Sequence, residues 1–275
     1  LKVELWGTRG SLGSAGPETV RYGGDTSAVE LRTANDRLIV LDAGSGIRAL
    51  GASLSAHERV DILLSHVHMD HIQGLPFFRP LLEPECEVHI WGPMSTIHDL
   101  HSRLSRYLSP PLFPVRLREL PNVYFHDVSP STFDIDGLTV KTDLVLHPGT
   151  TLGYRISENG KVLAYIPDHE PALGDRDFPC GLEWLSGRAI AEGADVLIHD
   201  AQYTDKEYEE RTGWGHSSLT HVARYAETVR ADRLVTFHHD PSHTDADLDG
   251  LHEELADNLH GPELLPGSAH LKIEV

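Results

Sequence analysis

The sequence predicts an α/β protein in which one β-sheet packs on another and helices cover the outer faces. Short apolar runs typical of strands occur in both halves of the chain, and segments with helical patterning lie between them. No low-complexity linker and no short-period repeat interrupts the 275 residues. We therefore expect a single domain that spans residues 1–275.

The strands and helices follow from apolar runs bounded by Gly, Pro and Ser. Strands are predicted at residues 1–6, 28–31, 38–41, 61–65, 138–146, 151–156, 162–166, 196–199 and 234–237. Helices are predicted to begin near residues 47 and 72 and to span 95–107, 181–192, 218–229 and 245–259. The glycine-rich turn at 42–46 is not followed by Gly-Lys-Ser/Thr, which argues against a nucleotide P-loop.

The charge is strongly acidic, with 23 Lys and Arg against 42 Asp and Glu and a formal net charge of −19. Such a surface repels phosphate backbones, so large nucleic acids are disfavoured as partners and a small-molecule substrate is expected. No apolar stretch reaches the ~18 residues needed to cross a bilayer, so no membrane association is expected.

The two cysteines, Cys86 and Cys180, could form one bridge, but two reduced thiols in a cytoplasmic protein are the simpler interpretation. The N-terminus lacks the features of a signal peptide. The chain begins without Met, however, so the removal of a leader is left as an alternative. We therefore expect a cytoplasmic protein. Its oligomeric state is not readable from the sequence, and a homodimer is compatible with it.

The most informative motif is His66-Val67-His68-Met69-Asp70-His71, which follows the apolar run 62–64. His66 and His68 lie two positions apart, so at a strand end both side chains leave the same face. Asp70 and His71 follow at a spacing that suits a turn into a helix, where they can face a second centre. Imidazole and carboxylate groups are ligands of Zn²⁺ and similar ions, so the motif predicts a metal site.

Further ligands are expected where three later apolar strands end, because α/β sheets place ligands at such ends. His147 follows the strand near 144–146, Asp168 follows 163–167, and His238 follows 234–237. Taken alone, Asp168 could cap a turn and His147 could be an edge histidine. Together with the first motif they supply seven ligands for two divalent ions, with Asp168 as the natural bridge. In contrast, His98 and His101 lack a nearby carboxylate and are interpreted as surface or edge residues.

These motifs, in this order, resemble those of the metallo-β-lactamase superfamily over about residues 3–243. The resemblance implies an αββα sandwich of two mixed sheets. It implies a first metal on His66, His68 and His147, a second on Asp70, His71 and His238, and Asp168 between them. Asp42 matches the structural aspartate of that family. His238 is preferred to His239 because it directly follows the apolar strand. The ions are expected to be Zn²⁺, with Mn²⁺ or Fe as alternatives.

Two later segments indicate the branch of the superfamily. Residues 197–202, which include Asp200, and residues 215–218, which include His216, resemble elements of tRNase Z-like enzymes and small-molecule phosphodiesterases. By this resemblance His216 is the general acid, Asp200 orients it, and Asp70 completes the catalytic set. The expected reaction is attack of a metal-bridging hydroxide on a phosphodiester. The alternative reading makes His216 a helix-entry residue before Ser217, which could cap the helix.

The substrate is expected to be a small cyclic nucleotide or phosphoribosyl-type phosphodiester. Only twenty residues separate His147 from Asp168, with no basic arm to hold RNA. Pocket walls are expected at 75–79 and 107–115, where Phe77, Phe78, Tyr107 and Phe113 could stack on substrate or pack in the core.

A lactone or β-lactam hydrolase on the same metals is the main alternative, since some enzymes of that kind have the same His66–His71 motif. Such enzymes do not need an acid pair, so Asp200 and His216 discriminate between the two readings. A further alternative is a non-catalytic, metal-stabilised binding or sensor module. The complete set of candidate ligands and the candidate acid argue against that last reading.

Overall fold

The structure is a computed structural model that describes residues 1–54, 59–171 and 184–275. Within these ranges fourteen strands form two sheets of seven. The first sheet contains, in spatial order, β14 (Lys272–Glu274), β1 (Lys2–Gly7), β2 (Ala28–Arg32), β3 (Leu38–Leu41), β4 (Val60–Leu63), β5 (Val88–Pro93) and β6 (Val123–Val128). Its strands from β14 to β3 pair antiparallel, and those from β3 to β6 pair parallel.

The second sheet has the same arrangement of parallel and antiparallel strands. It contains, in spatial order, β13 (Glu263–Leu265), β12 (Arg233–Phe237), β11 (Val196–Asp200), β10 (Lys161–Ile166), β9 (Leu152–Glu158), β8 (Leu138–Leu144) and β7 (Ser131–Ile135). The four strands from β13 to β10 run parallel, whereas β10 to β7 pair antiparallel. In each sheet the carboxyl ends of the parallel strands therefore meet at one edge, which is where a site can assemble.

The helices lie outside the sheets. They are α1 (Ile47–Ser53), α2 (Met69–Ile72), α3 (Leu100–Ser105), α4 (Arg188–Ala191), α5 (Asp205–Arg211), α6 (Leu219–Val229) and α7 (Asp245–Asn258). Polar side chains begin several of them: Thr204 and Thr244 each accept a hydrogen bond from the third residue of the helix that follows.

Three apolar layers account for the packing. Alternate residues of both sheets, among them Leu41, Tyr154 and Phe237, form the layer between the sheets. A second layer joins the first sheet to α1 and α3, and a third joins the second sheet to α4, α6 and α7. This is the predicted αββα sandwich, in which each sheet buries one face on the other sheet and one on helices.

The local predictions differ from the structure in several places. The helix predicted to begin near residue 72 is α2, which begins at Met69 and ends at Ile72. The predictions did not include β5, β6, β7, β13, β14 and α5. The helix predicted over 95–107 is only α3, because Asp99 accepts a hydrogen bond from Ser102 N and so fixes its start. The helix predicted over 181–192 is observed only as α4, and residues 172–183 lie outside the described part of the chain. Cys180 lies there too, whereas Cys86 is buried in the layer beneath α1 and α3.

No helix in the described ranges is both long and apolar enough to cross a membrane.

A buried histidine behind the second sheet predicts a loss of stability in acid. His252 of α7 contacts Tyr22 Oη at 3.1 Å and Thr236 Oγ1 at 2.7 Å, and burial lowers its pKa to about 4. The unfolded chain, with a histidine pKa near 6.5, binds this proton first as the pH falls. The contribution of neutral His252 to the free energy of unfolding is therefore fully present above pH ~6.5. It decreases as the pH falls towards ~4, by up to about 3 kcal/mol.

Urea denaturation of the wild type and of His252→Gln at pH ~7 and pH ~5 measures this effect. The variant keeps hydrogen-bonding groups but cannot titrate, so its stability should depend less steeply on pH. Equal pH dependence of the two proteins would show that His252 does not carry the linkage.

Candidate metal centre and active site

The His66–His71 motif lies at the carboxyl end of β4 and runs into α2. Leu64 N donates to Trp91 O, which extends the pairing beyond the strand. The chain then bends at Ser65 and is extended at His68, directly before α2. Asp70 and His71 are in the first turn of α2, and both are buried. Two imidazoles, of His66 and His68, thus come from the segment before α2. The carboxylate of Asp70 and the imidazole of His71 come from the helix itself, and all four side chains meet in one space.

The second sheet supplies the remaining side chains from the ends of its strands. Asp168 follows β10, His238 follows β12, and His147 lies between β8 and β9. The Asp168 carboxylate is at the centre. Its oxygens lie 3.8 Å from His66 Nε2, 3.0 Å from His71 Nε2, 3.7 Å from His147 Nε2 and 3.4 Å from His238 Nε2. One carboxylate therefore contacts imidazoles from both sheets.

The cluster divides into two groups that match the expected sets of ligands. His66, His68 and His147 form one group and Asp70, His71 and His238 the other, and in each group the nearest ligand atoms all lie within 4.8 Å of one another. Among the described residues, further combinations that include Asp168, Asp200 or His216 meet the same criterion. All seven residues predicted as ligands are thus brought together, and their roles as ligands stay a prediction.

The side chains fit divalent ions. Ring nitrogens face each other at 3.2 Å between His147 Nε2 and His68 Nδ1 and at 3.3 Å between His71 Nε2 and His238 Nε2. A bound cation satisfies such close pairs of ring nitrogens, and buried His66 Nε2 has no hydrogen-bond partner among the described residues. Burial lowers the pKa of His66 and of His147, which keeps both rings in the neutral form that binds a metal.

Oxygen atoms hold the opposite nitrogen of three of the rings. Nδ1 of His71 contacts Asp42 Oδ2 at 2.8 Å, Nδ1 of His66 contacts Ser65 Oγ at 3.0 Å, and Nδ1 of His147 contacts Gly215 O at 2.8 Å. Each Nδ1–H donates to its oxygen, so in these three rings Nε2 is the nitrogen that faces the cluster. This is the outer arrangement that metal-binding histidines need.

Asp42, predicted as a structural aspartate, supports both sheets. Its fully buried carboxylate accepts hydrogen bonds from Ser65 N at 2.7 Å, from Tyr165 Oη at 2.8 Å and from His71. Its φ of 59° lies in the left-handed region, which aspartate tolerates better than most residues.

Asp42→Asn should lower the affinity for metal by ~10- to 100-fold, because an amide donor replaces an acceptor beside His71. Chelator competition measures that affinity. Tyr165→Phe is the matched control, since it removes a hydrogen bond to the same carboxylate and leaves His71 paired. The two variants should differ in affinity for metal, and equal affinities would contradict the role of Asp42.

The structure distinguishes His238 from its neighbour. His238 Nε2 lies 3.1 Å from Asp70 Oδ2, whereas His239 Nε2 donates to Gly267 O at 2.8 Å, away from the cluster. His238 has a φ of 61°, a strained conformation that turns its ring towards Asp70. Gly10 packs against this ring so closely that a Cβ there would lie 2.3 Å from His238 Nδ1.

Asp200 and His216 form a pair at the edge of the cluster. His216 Nδ1 donates to Asp200 Oδ2 at 2.7 Å, and Asp168 Oδ2 is 4.0 Å from the same nitrogen. Asp200 is fully buried and also accepts the backbone N–H groups of His169, Gln202 and Ser217. Burial lowers the pKa of His216, but the carboxylates of Asp200, Asp168 and Asp70 together outweigh it and raise that pKa above its ordinary value.

The alternative reading of this segment is wrong in one respect. Ser218, not Ser217, caps α6 by accepting from His221 N. Ser217 Oγ instead donates to His169 O at 2.7 Å.

The expected pocket walls are only partly present. Phe78 is fully buried and belongs to the core, and Tyr107 Oη donates to Gln73 O at 2.9 Å. Phe77 is 60% exposed and meets Phe113 edge-on with ring centroids 6.3 Å apart. Phe77 is therefore accessible to a ligand and Phe113 is partly buried against the core, whereas Phe78 is not accessible.

Sequence reasoning missed the side chains that hold the ligands. Gln202 Oε1 accepts from His238 Nδ1 at 3.0 Å, Ser65 supports His66, and buried Glu170 binds the loop before His216. Ser65 and Glu170 each lie within two positions of a predicted ligand, and Gln202 lies two positions after Asp200. This closeness in sequence is the only feature that could have indicated their roles.

Comparison with known proteins agrees with this geometry. A family model described as a beta-lactamase superfamily domain matches residues 37–239. Ribonuclease Z of Myxococcus xanthus (strain DK1622) is 26% identical over 276 residues, which covers 83% of this chain and 86% of that protein.

Two solved structures have the same fold. The metallo-beta-lactamase fold protein YhfI from Bacillus subtilis is 18% identical, with a TM-score of 0.73 and coverage of 100% of this chain and 98% of that one. A diphosphatase from the PhnP family is 20% identical, with a TM-score of 0.69 and coverage of 99% and 96%.

The chain belongs to the metallo-β-lactamase superfamily and is a hydrolase of that superfamily. One relative is named as a ribonuclease, and that name conflicts in part with the expectation that large nucleic acids are disfavoured as substrates.

Proposed function

We propose that the protein is a binuclear, metal-dependent phosphodiesterase whose substrate is a small cyclic nucleotide or phosphoribosyl-type phosphodiester. The observation that carries the proposal is the Asp200–His216 pair at the edge of the histidine and aspartate cluster. A phosphodiester releases an alkoxide, which needs a proton, and a positioned histidine supplies it.

Seven residues would hold the two ions. His66, His68 and His147 would bind the first, Asp70, His71 and His238 the second, and Asp168 both. Zn²⁺ suits these nitrogen and oxygen donors, and Mn²⁺ or Fe would also be accepted. Such ions, when bound, supply positive charge for the phosphoryl oxygens and lower the pKa of water.

The protein side chains then account for the fate of the leaving group. Asp200 occupies Nδ1 of His216, so Nε2 is the nitrogen left to donate a proton to the departing oxygen. Water adds to phosphorus and gives up one proton, the bond from phosphorus to the leaving oxygen breaks, and that oxygen takes the proton from His216. The proton that water releases returns His216 to its charged form. The adjacent Asp200 carboxylate stabilises the charged imidazole before transfer, as an orienting carboxylate does in other acid–base pairs.

The segment between His147 and Asp168 supports a small substrate. It forms β9 and β10, joined by the tight turn at Asn159 and Gly160, and this hairpin pairs within the second sheet. No basic arm extends from it, and the net charge of −19 disfavours a polyanion.

An RNA phosphodiester is the second candidate, favoured by the names of relatives such as ribonuclease Z of Myxococcus xanthus. The same His216 and Asp200 would serve either substrate. The single-domain organisation over residues 1–275 and the cytoplasmic location stay predictions.

A hydrolysis panel tests the proposal. Metal-loaded protein is assayed on bis(p-nitrophenyl) phosphate, a 2′,3′-cyclic nucleotide, an unprocessed tRNA, a chromogenic cephalosporin and a lactone. We expect turnover of the first two substrates. Turnover of the tRNA alone would favour the second candidate, and turnover of the lactone or the cephalosporin without any phosphodiester would refute both.

A further inference from the structure

We infer that Glu170 is a positioning residue that holds His147 and His216 in place through one loop. This role extends the proposed function, and only its kinetic test rests on that function. Glu170 is two residues beyond Asp168 and is 1% exposed. It is not in either group of candidate ligands, so its charge needs another explanation.

The carboxylate of Glu170 binds the loop that precedes His216. Its Oε1 accepts from Gly213 N at 2.9 Å and from Tyr208 Oη at 2.7 Å, and its Oε2 accepts from Gly215 N at 2.8 Å. Two backbone amides that flank a single residue are thus fixed by one buried anion. Hydrogen bonds to a charged acceptor are stronger than neutral ones, so this loop is held firmly.

The loop in turn fixes His147. Gly215 O accepts from His147 Nδ1 at 2.8 Å, so His147 presents Nε2 to the cluster. Gly215 has a φ of 90°, and a Cβ there would lie 2.5 Å from His147 Nδ1. The loop therefore passes His147 at a distance that only glycine allows.

The backbone of Glu170 adds a second link to the same histidine. Glu170 N donates to Leu146 O at 2.9 Å, and Leu146 directly precedes His147. One residue thus contacts the segment before His147 and the loop before His216, while it also follows Asp168. This arrangement connects a candidate ligand of the first ion with the candidate acid.

Glu170→Gln tests the role because it keeps the size of the side chain but places an amide donor against backbone N–H donors. We expect faster hydrogen exchange at residues 213–216 and an affinity for Zn²⁺ at least ~10-fold weaker by chelator competition. On a 2′,3′-cyclic nucleotide we expect kcat to fall at least ~10-fold, with KM changed little.

Asp61→Asn is the matched control. Asp61 is a fully buried carboxylate that binds Arg59 and Trp91, and it lies at the far end of β4 from the cluster. This variant should lose stability without changing exchange at 213–216, affinity for Zn²⁺ or kcat.

The inference is overturned if Glu170→Gln changes these three quantities no more than Asp61→Asn does. If Glu170→Gln does not fold, Glu170→Asp, which keeps the charge but withdraws it by one methylene, is measured against the same expectations. Should the wild type hydrolyse no phosphodiester, the proposed function fails, while exchange and affinity for Zn²⁺ still decide the role of Glu170.

Discussion

His216→Ala is expected to lower kcat by ~10²- to 10⁴-fold on a substrate whose leaving group is an alkoxide, such as a 2′,3′-cyclic nucleotide. The effect on bis(p-nitrophenyl) phosphate should be much smaller, because p-nitrophenolate departs without a proton. This difference follows from the position of His216, whose Nδ1 is held by Asp200 at 2.7 Å. The measurement is kcat for both substrates with the same metal-loaded preparation.

The control for this experiment is His98→Ala. His98 is exposed and, in the part of the chain that the structure describes, belongs to no group of candidate ligands. It should turn over both substrates as the wild type does. If His216→Ala loses activity equally on the two leaving groups, His216 does not act as the general acid, and a role in holding the substrate or the ions would explain the loss.

Asp168→Asn is expected to have the largest effect on both metal content and activity. Of the two candidate carboxylate ligands, Asp168 is the one that contacts imidazoles of both groups, with His71 at 3.0 Å and His147 at 3.7 Å. Asparagine keeps the size but removes the negative charge that would neutralise two cations. We expect fewer than two ions per chain and a fall in kcat/KM of at least about 10³-fold, since several kcal/mol of charge stabilisation is lost.

Metal analysis after gel filtration and steady-state kinetics test this expectation together. Asp61→Asn again serves as the control, because it also neutralises a buried carboxylate but lies away from the cluster. It should keep two ions and wild-type kcat/KM. Asp168→Asn with two tightly bound ions and undiminished activity would show that Asp168 does not bridge them.

The sequence predicted the sandwich and the cluster because both depend on local patterns. Alternating apolar residues define the face of each strand, and a polar residue directly after a buried strand marks its end. Asp168 and His238 were found in this way, and the parallel pairing of β10, β11 and β12 brings their strand ends to one edge.

The supporting contacts could not be predicted in the same way. Glu170 binds Gly215 across forty-five residues, and Gln202 binds His238 across thirty-six. A carboxylate or an amide in a loop has no periodicity, and its partner is a backbone group that only the folded chain brings near. The start of α3 shows the same limit, because Asp99 sets it through one hydrogen bond to Ser102 N.

A metal titration of chelator-treated protein tests whether activity depends on two bound ions. Zn²⁺ is added in steps, and hydrolysis of bis(p-nitrophenyl) phosphate is followed at each step. We expect no activity without metal and a rise that levels off at two ions per chain, as a centre with two groups of ligands requires. Activity that is complete without metal, or that is absent with two ions bound, would contradict it.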